Sequence, residues 1–282
     1  MAHNKQSAAA RVPTLAKEIT AYYERGEEDG RLRSGAGRLE FWRTQDVLRR
    51  LLPPPAAQLL DVGGGSGIHA QWLAADGYLV ELIDPMPLHV EQAAQLRGVT
   101  ARIGDARALD VSGESVDVVL LLGPLYHLTQ HEDRVRALTE AHRVLRPGGV
   151  VFATTINRFA ALHGTLHEGL YFAPDRRPHI EASTQRGLLN PPEGDTSMFT
   201  TAYLHEPSQV LTEFTAAGLI PRGQYGLEGA AWLMGDISSR LDDPEQRELV
   251  LRAMRLTESV PSLLGVSGHL LTAGSKPMDP RH

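Results

Sequence analysis

The feature that most constrains the fold is a rhythm. Across residues 59–156, short apolar runs of strand length alternate with stretches of helical spacing. The runs at 59–62, 79–84, 100–103, 116–122 and 150–156 read as strands. Helical patterns at 67–76, 87–97 and 129–145 lie among them, and Gly77 closes the first. Neighbouring parallel strands need a long crossover, usually a helix, so this order predicts an α/β fold: a doubly wound, mostly parallel sheet with helices on both faces. Thr129-Gln130-His131-Glu132 has capping-box spacing and predicts that the third helix starts at Thr129.

Outside this core the pattern changes. Residues 11–52 read as helical with breaks, and Pro53-Pro54-Pro55 ends them. Residues 157–206 carry Pro174, Pro178, Pro191 and Pro192 and lose the rhythm, which predicts an inserted lid with short elements rather than one long loop. Helices at 207–218 and 245–258 and strands near 220–225 and 270–273 complete the chain. The expected organisation is a helical N-terminal cap (1–52), a ligand-binding core (53–156), a lid insertion (157–206) and the C-terminal part of the core (207–282).

Composition narrows the partners. The chain has 282 residues, no cysteine and a net charge of −6. Disulfides and thiolate chemistry are excluded, and a cytoplasmic setting is expected. No apolar run approaches the ~20 residues of a membrane span, so no membrane partner is expected. The arginines sit among acids, which disfavours a phosphate backbone and so nucleic acid. Monomer and homodimer both stay open.

The chemistry concentrates at Asp61-Val62-Gly63-Gly64-Gly65-Ser66-Gly67, which directly follows a strand and precedes a helix. Glycines there allow a sharp turn and a close approach of ligand to backbone. Such a ligand lies outside the carboxyl ends of the strands. Asp84 ends the second strand, at a distance suited to ribose hydroxyls, and Gly104-Asp105-Ala106 ends the third. The dinucleotide fingerprint G-x-G-x-x-G fits less well, because its third glycine position is Ile68.

At these residues the chain resembles the class I S-adenosylmethionine-dependent methyltransferases, as does its Val144-Leu145-Arg146-Pro147-Gly148-Gly149 turn. The resemblance implies a Rossmann-like seven-stranded sheet with an antiparallel last strand and S-adenosylmethionine as cofactor. It implies that Gly63, Gly65 and Gly67, headed by Asp61, pass beside the methionine portion. Asp84 would take the ribose, Asp105 with Ala106 the adenine, and Leu122 with the segment to His127 would line the transfer site. In relatives with such an N-terminal extension the segment folds over the cofactor, which makes Tyr22 and Arg43 candidate cofactor contacts. Arg43 could pair with the cofactor carboxylate.

Methyl transfer from a sulfonium needs placement and dryness more than side-chain chemistry. His127 falls at the carboxyl edge and is the first candidate base, with Tyr23 as a second catalytic candidate. Histidine pairs His127/His131 and His163/His167 lack accompanying acids, so no metal is expected. Trp42, Phe159, Tyr171, Phe172, Phe199 and Tyr203, with Tyr22 and Tyr23, could line a pocket for a small-molecule substrate. Glu168, Tyr203 and His205 are lid candidates. Arg134, Arg136, Arg143 and Arg146 read as a solvated helix face. The stretches 39–44, 123–128 and 200–205 are similar to actinobacterial small-molecule methyltransferases, some of which methylate indole C3 in tryptophan-derived natural products. O- or N-methyl transfer, and a non-catalytic cofactor-binding module, are the alternatives.

Overall fold

The computed structural model describes residues 20, 30, 32–191 and 199–278. Its main elements in chain order are α1 (Gly37–Leu51), β1 (Gln58–Val62), α2 (Ile68–Ala75), β2 (Leu79–Asp84), α3 (Pro87–Ala93) and β3 (Val99–Ile103). Then come β4 (Val116–Leu121), α4 (Pro124–His127), α5 (His131–Val144) and β5 (Leu145–Asn157). The insertion carries α6 (Ala160–His167), α7 (Arg177–Arg186), β6 (Leu188–Leu189) and β7 (Ala202–His205). The chain closes with α8 (Pro207–Ala216), β8 (Ile220–Gly226), α9 (Ile237–Asp242), α10 (Pro244–Arg255) and β9 (His269–Ser275).

Strands run in the order β3-β2-β1-β4-β5, all parallel, and β9 then joins β5 antiparallel with β8 beyond it. This is the expected open sheet, with nine strands instead of seven. The two extra strands belong to the insertion. β7 extends the tail of β5 through Ile156↔Leu204 and Asn157↔His205, and β6 pairs with β7. Both sheet faces are covered, which is why the strand runs are apolar throughout. On one face Leu60, Val119 and Val151 meet Leu138 of α5 and Phe214 of α8. On the other Leu59, Leu120 and Phe152 meet Leu48 of α1 and Leu73 of α2. The chain reverses its order between β1 and β4, which opens a crevice at their carboxyl ends.

Three local expectations shift. α5 starts at His131, with Gln130 as an N-cap that makes no side-chain bond. The capping box fails because residues 124–127 form their own turn and the Leu128 and Thr129 carbonyls are taken by the Arg134 guanidinium at 2.9 and 3.0 Å. α3 ends at Ala93, short of 97, and β5 already begins at Leu145, so the Arg146–Gly149 turn lies within the strand. No described helix is long and apolar enough to cross a membrane.

Candidate active site

The turn after β1 is built by backbone conformation. Gly63, Gly65 and Gly67 have φ of 70, 59 and 91°, where a side chain is strained. A Cβ on Gly63 would sit 2.6 Å from Pro124 Cγ, so this glycine lets the β1 turn pass the loop after β4. A Cβ on Gly67 would sit 2.5 Å from Leu96 Cδ1; that glycine seats α2 against the chain beyond α3 and does not line the crevice. Around Gly65 nothing lies within 4 Å, so its face is open to a ligand.

Two carboxylates face this turn. Asp84 Oδ2 accepts from the Gly65 amide at 2.9 Å, and Oδ1 accepts from the Met86 amide at 2.9 Å and lies 3.0 Å from His89 Nδ1. Asp61 is buried, and its Oδ2 has no hydrogen-bond partner among the described residues. Burial, reinforced by the charge of Asp84, pushes the Asp61 carboxyl up to about 7. A buried acid with one unbonded oxygen beside a glycine turn suits a cationic group on a ligand. At the next strand end Asp105 binds Arg107 through both oxygens, and Arg107 reaches Asp133 at 3.0 Å. Burial would raise the Asp105 carboxyl, but the hydrogen bonds and charge of Arg107 outweigh it and hold it low. A nucleobase amine at Asp105 would share that carboxylate with Arg107.

The opposite wall follows β4. Leu122, Gly123, Tyr126, His127 and Leu128 line the crevice, and the rings of Tyr126 and Phe199 lie 4.7 and 5.8 Å from that of His127. Burial pushes His127 down to about 3, so it is a neutral imidazole at physiological pH, able to hydrogen-bond but weak as a base. It keeps its expected place in the site, half-buried on the crevice wall.

The structure therefore brings Asp61, Gly63, Gly65, Asp84, Asp105, Ala106, Leu122 and His127 to one crevice. It separates Arg43 from them. On α1, Glu40 and Thr44 are one turn apart and line the crevice, whereas Arg43 is rotated away. Its fully buried guanidinium binds Asp46, Glu258 at 2.5 Å and the Leu227 carbonyl at 2.9 Å. A pairing with a cofactor carboxylate is excluded by that network. Tyr22 and Tyr23 lie outside the described residues.

The expected aromatic lining is also corrected. Among its described members Phe199 stands by the crevice wall. Trp42 carries Arg247 over its ring, Tyr203 carries Arg134 at 3.7 Å, Tyr171 bonds Glu181, and Phe172 is 69% exposed. Arg134 is buried and bonds Glu213, which also contacts His205; Arg143 bonds the Leu109 and Val111 carbonyls and Arg146 pairs with Asp117. Of the four arginines read as solvated, Arg136 and Arg146 are exposed. Sequence reasoning missed Glu40, Thr44, Met86, Arg107 and Thr154 of the lining. Helical spacing from Glu40 to Thr44 was the one available signal. It also missed a trio of potential metal ligands, Glu40, Glu228 and His269, which approach one another among the described residues.

Comparison with known proteins bears on this same region. Residues 60–153 match the family described as "Methyltransferase domain". A ubiquinone/menaquinone biosynthesis C-methyltransferase of Acidiphilium cryptum is 38% identical over 126 residues, 42% of this chain and 49% of that protein. A ubiquinone biosynthesis O-methyltransferase of Pseudomonas syringae is 39% identical over 107 residues, 36% of this chain and 45% of that protein. The chain spans about half the length of the curated relatives it matches. Among solved structures, a SAM-dependent methyltransferase of Methanosarcina mazei superposes with a TM-score of 0.57 at 18% identity, covering 83% of this chain and 98% of that one. The (4+2)-cyclase SpnF superposes at 0.52 with 19% identity, covering 84% and 80%. These likenesses establish the fold, and the fold by itself does not choose the reaction.

Proposed function

We infer that the chain is an S-adenosylmethionine-dependent methyltransferase that acts on a small organic acceptor. The observation that carries this reading is the Asp84–Gly65 contact beside the open face of Gly65, within the segment that matches the methyltransferase domain. Asp84, Met86, Asp105 and Ala106 would hold the adenosine. Gly63, Gly65 and Asp61 would hold the methionine portion. The unpartnered, buried Asp61 oxygen fits the positive charge of that portion. When bound, S-adenosylmethionine supplies a methyl group on a positively charged sulfur.

The rest of the work falls to the chain. Leu122, Tyr126 and His127 wall the crevice, Phe199 backs His127, and Glu40 and Thr44 cover the crevice from α1. Such a wall excludes water and holds an acceptor in line with the methyl group, which is worth far more here than chemical activation. His127, kept neutral by burial, orients the acceptor through a hydrogen bond.

The first acceptor we propose is indole C3 in a tryptophan-derived natural product. Two features support it: the aromatic cluster of Tyr126, His127 and Phe199, whose rings meet edge-on or tilted within 6.1 Å, and the resemblance of 39–44, 123–128 and 200–205 to actinobacterial small-molecule enzymes. Oxygen and nitrogen acceptors compete, since the relatives include both C- and O-methyltransferases by name. The test is to incubate the protein with methyl-labelled S-adenosylmethionine and a metabolite extract, then a set of indoles, phenols and amines, and find the labelled product by mass spectrometry. Label on indole carbon supports the specific reading, and label on oxygen or nitrogen replaces it. Cofactor binding with no transfer to any compound would leave a non-catalytic binding module.

A further inference from the structure

We propose that Arg134 is a positioning residue for methyl transfer: it clamps the two halves of the acceptor wall, the turn after β4 and strand β7 of the insertion, into one shape. The proposal rests on the methyltransferase reading and deepens it, by naming what sets the acceptor side of the crevice.

The wall is assembled from distant parts of the chain. Tyr126, His127 and Leu128 line the crevice from α4 and its exit. Phe199 precedes β7, and its ring lies 6.1 and 5.8 Å from those of Tyr126 and His127. α4 packs against β7. With four residues, α4 is too short to hold itself, and the last carbonyls of a helix have no partners within it.

Arg134 does not line the crevice, yet its guanidinium reaches both halves. Nη1 donates to the Leu128 and Thr129 carbonyls at 2.9 and 3.0 Å, where α4 ends. Cζ lies 3.7 Å from the centre of the Tyr203 ring on β7. Glu213 of α8 fixes the other edge: Nε donates to Oε1 at 2.8 Å, and Nη2 lies 2.8 Å from the same oxygen. Glu213 in turn reaches β7, because its Oε2 lies 3.3 Å from His205 Nε2. The side chains of Arg134, Glu213 and His205 are at most 3% exposed.

Taking a guanidinium and a carboxylate out of water offsets much of their attraction, so apolar residues of similar volume would stabilise the fold about as well. What they could not supply is aim. The planar fork holds α4 by its edge while its face holds an aromatic ring of β7. Lysine keeps the charge but has neither fork nor face. In-line transfer is sensitive to this, since a misplacement of 1 Å costs about 100-fold in rate. A loosened wall should therefore harm the acceptor and spare the cofactor, which the β1 turn and the strand tips would hold.

The test uses the full chain with S-adenosylhomocysteine and the variants Arg134→Lys, Tyr203→Leu and Tyr203→Phe. In Arg134→Lys, hydrogen exchange read by mass spectrometry should quicken about tenfold in peptides over both 124–129 and 199–205, with 59–67 unchanged. With the indole or phenol that the unmodified chain turns over, acceptor KM should rise and kcat fall, lowering kcat/KM about 30-fold, while S-adenosylhomocysteine affinity stays within about twofold. Tyr203→Leu should raise acceptor KM in the same way, and Tyr203→Phe, which keeps the ring, should match the unmodified chain. Arg143→Lys is the matched control. That guanidinium, on the same helix, also donates to two carbonyls, those of Leu109 and Val111, which do not line the crevice. It should leave exchange at 124–129 and 199–205 and the acceptor KM unchanged. Equal losses in Arg143→Lys and Arg134→Lys, or exchange that quickens in one segment alone in Arg134→Lys, would overturn the clamp. If the unmodified chain fails to bind S-adenosylhomocysteine, the methyltransferase reading fails, and exchange in the unliganded chain still decides the clamp.

Discussion

The carboxylate of Asp84, at the tip of β2, accepts the amide of Gly65 in the turn after β1 at 2.9 Å. One acid thus shapes the glycine turn and presents its remaining lone pairs to whatever binds there. Asp84→Ala should reduce affinity for S-adenosylhomocysteine by about 10–100-fold, the worth of hydrogen bonds to a charged group. Titration calorimetry on a variant with an unchanged melting temperature checks this, and equal affinity would remove Asp84 from the cofactor site.

Gly63 and Gly65 share a left-handed backbone but should fail differently. Gly63→Ala drives a methyl into Pro124 Cγ at 2.6 Å and should lower the melting temperature by several degrees. Gly65→Ala meets open space, so it should cost only about 1 kcal/mol of stability while blocking the ligand. Thermal melts paired with binding curves separate the two, and identical profiles would contradict the assignment.

Asp61 links pH to stability and binding. Its folded value of about 7 lies above the ordinary 3.8, so the folded chain keeps a proton that the unfolded chain releases. The stabilisation is complete below 3.8 and is lost as pH rises through about 7. The unliganded protein should therefore lose stability between about pH 4 and 7 relative to Asp61→Asn, with no further loss above that. A cationic ligand favours the anion, so S-adenosylmethionine affinity should rise over the same window with release of a proton. Calorimetry in buffers of different ionisation enthalpy reads that proton; a count of zero would refute the linkage.

His127 is held near 3 by burial, so its ionisation should leave no limb in the rate profile between pH 5 and 8. His127→Ala should spare cofactor binding and slow turnover about tenfold through lost positioning. A limb near pH 6.5 that disappears in this variant would show that His127 does titrate in the working range.

Arg43 should matter to the fold rather than to the ligand. Arg43→Gln leaves Glu258, itself 8% exposed, to Arg50 alone and takes the guanidinium donor from the Leu227 carbonyl. Losing a charged donor from a buried network in which a second cation remains costs about 1.5–3 kcal/mol. Denaturant unfolding should show that loss, with cofactor affinity per folded molecule unchanged; the reverse result would restore Arg43 to the crevice.

The cofactor side of the site was legible from residues 59 to 106 because it depends on local order. A strand, a glycine turn, a helix and an acid at the next strand tip are each specified by neighbours in the chain, and parallel pairing then brings the tips together. The acceptor side was not. Whether Arg43 or Glu40 of one helix faces the ligand depends on which side of α1 packs on the sheet, and Arg134 of α5 meets Tyr203 only because β7 folds back beside β5. The burial that turns His127 into a weak base, and that draws Arg134 out of a solvated face, likewise comes from distant residues. Sequence alone determined the sheet, its glycine turn and the acids at its strand tips, because short-range geometry and hydrophobic period set them. Orientation, burial and protonation of the groups that face the acceptor were decided by long-range packing, since desolvation and charge act between residues that only the folded chain makes neighbours.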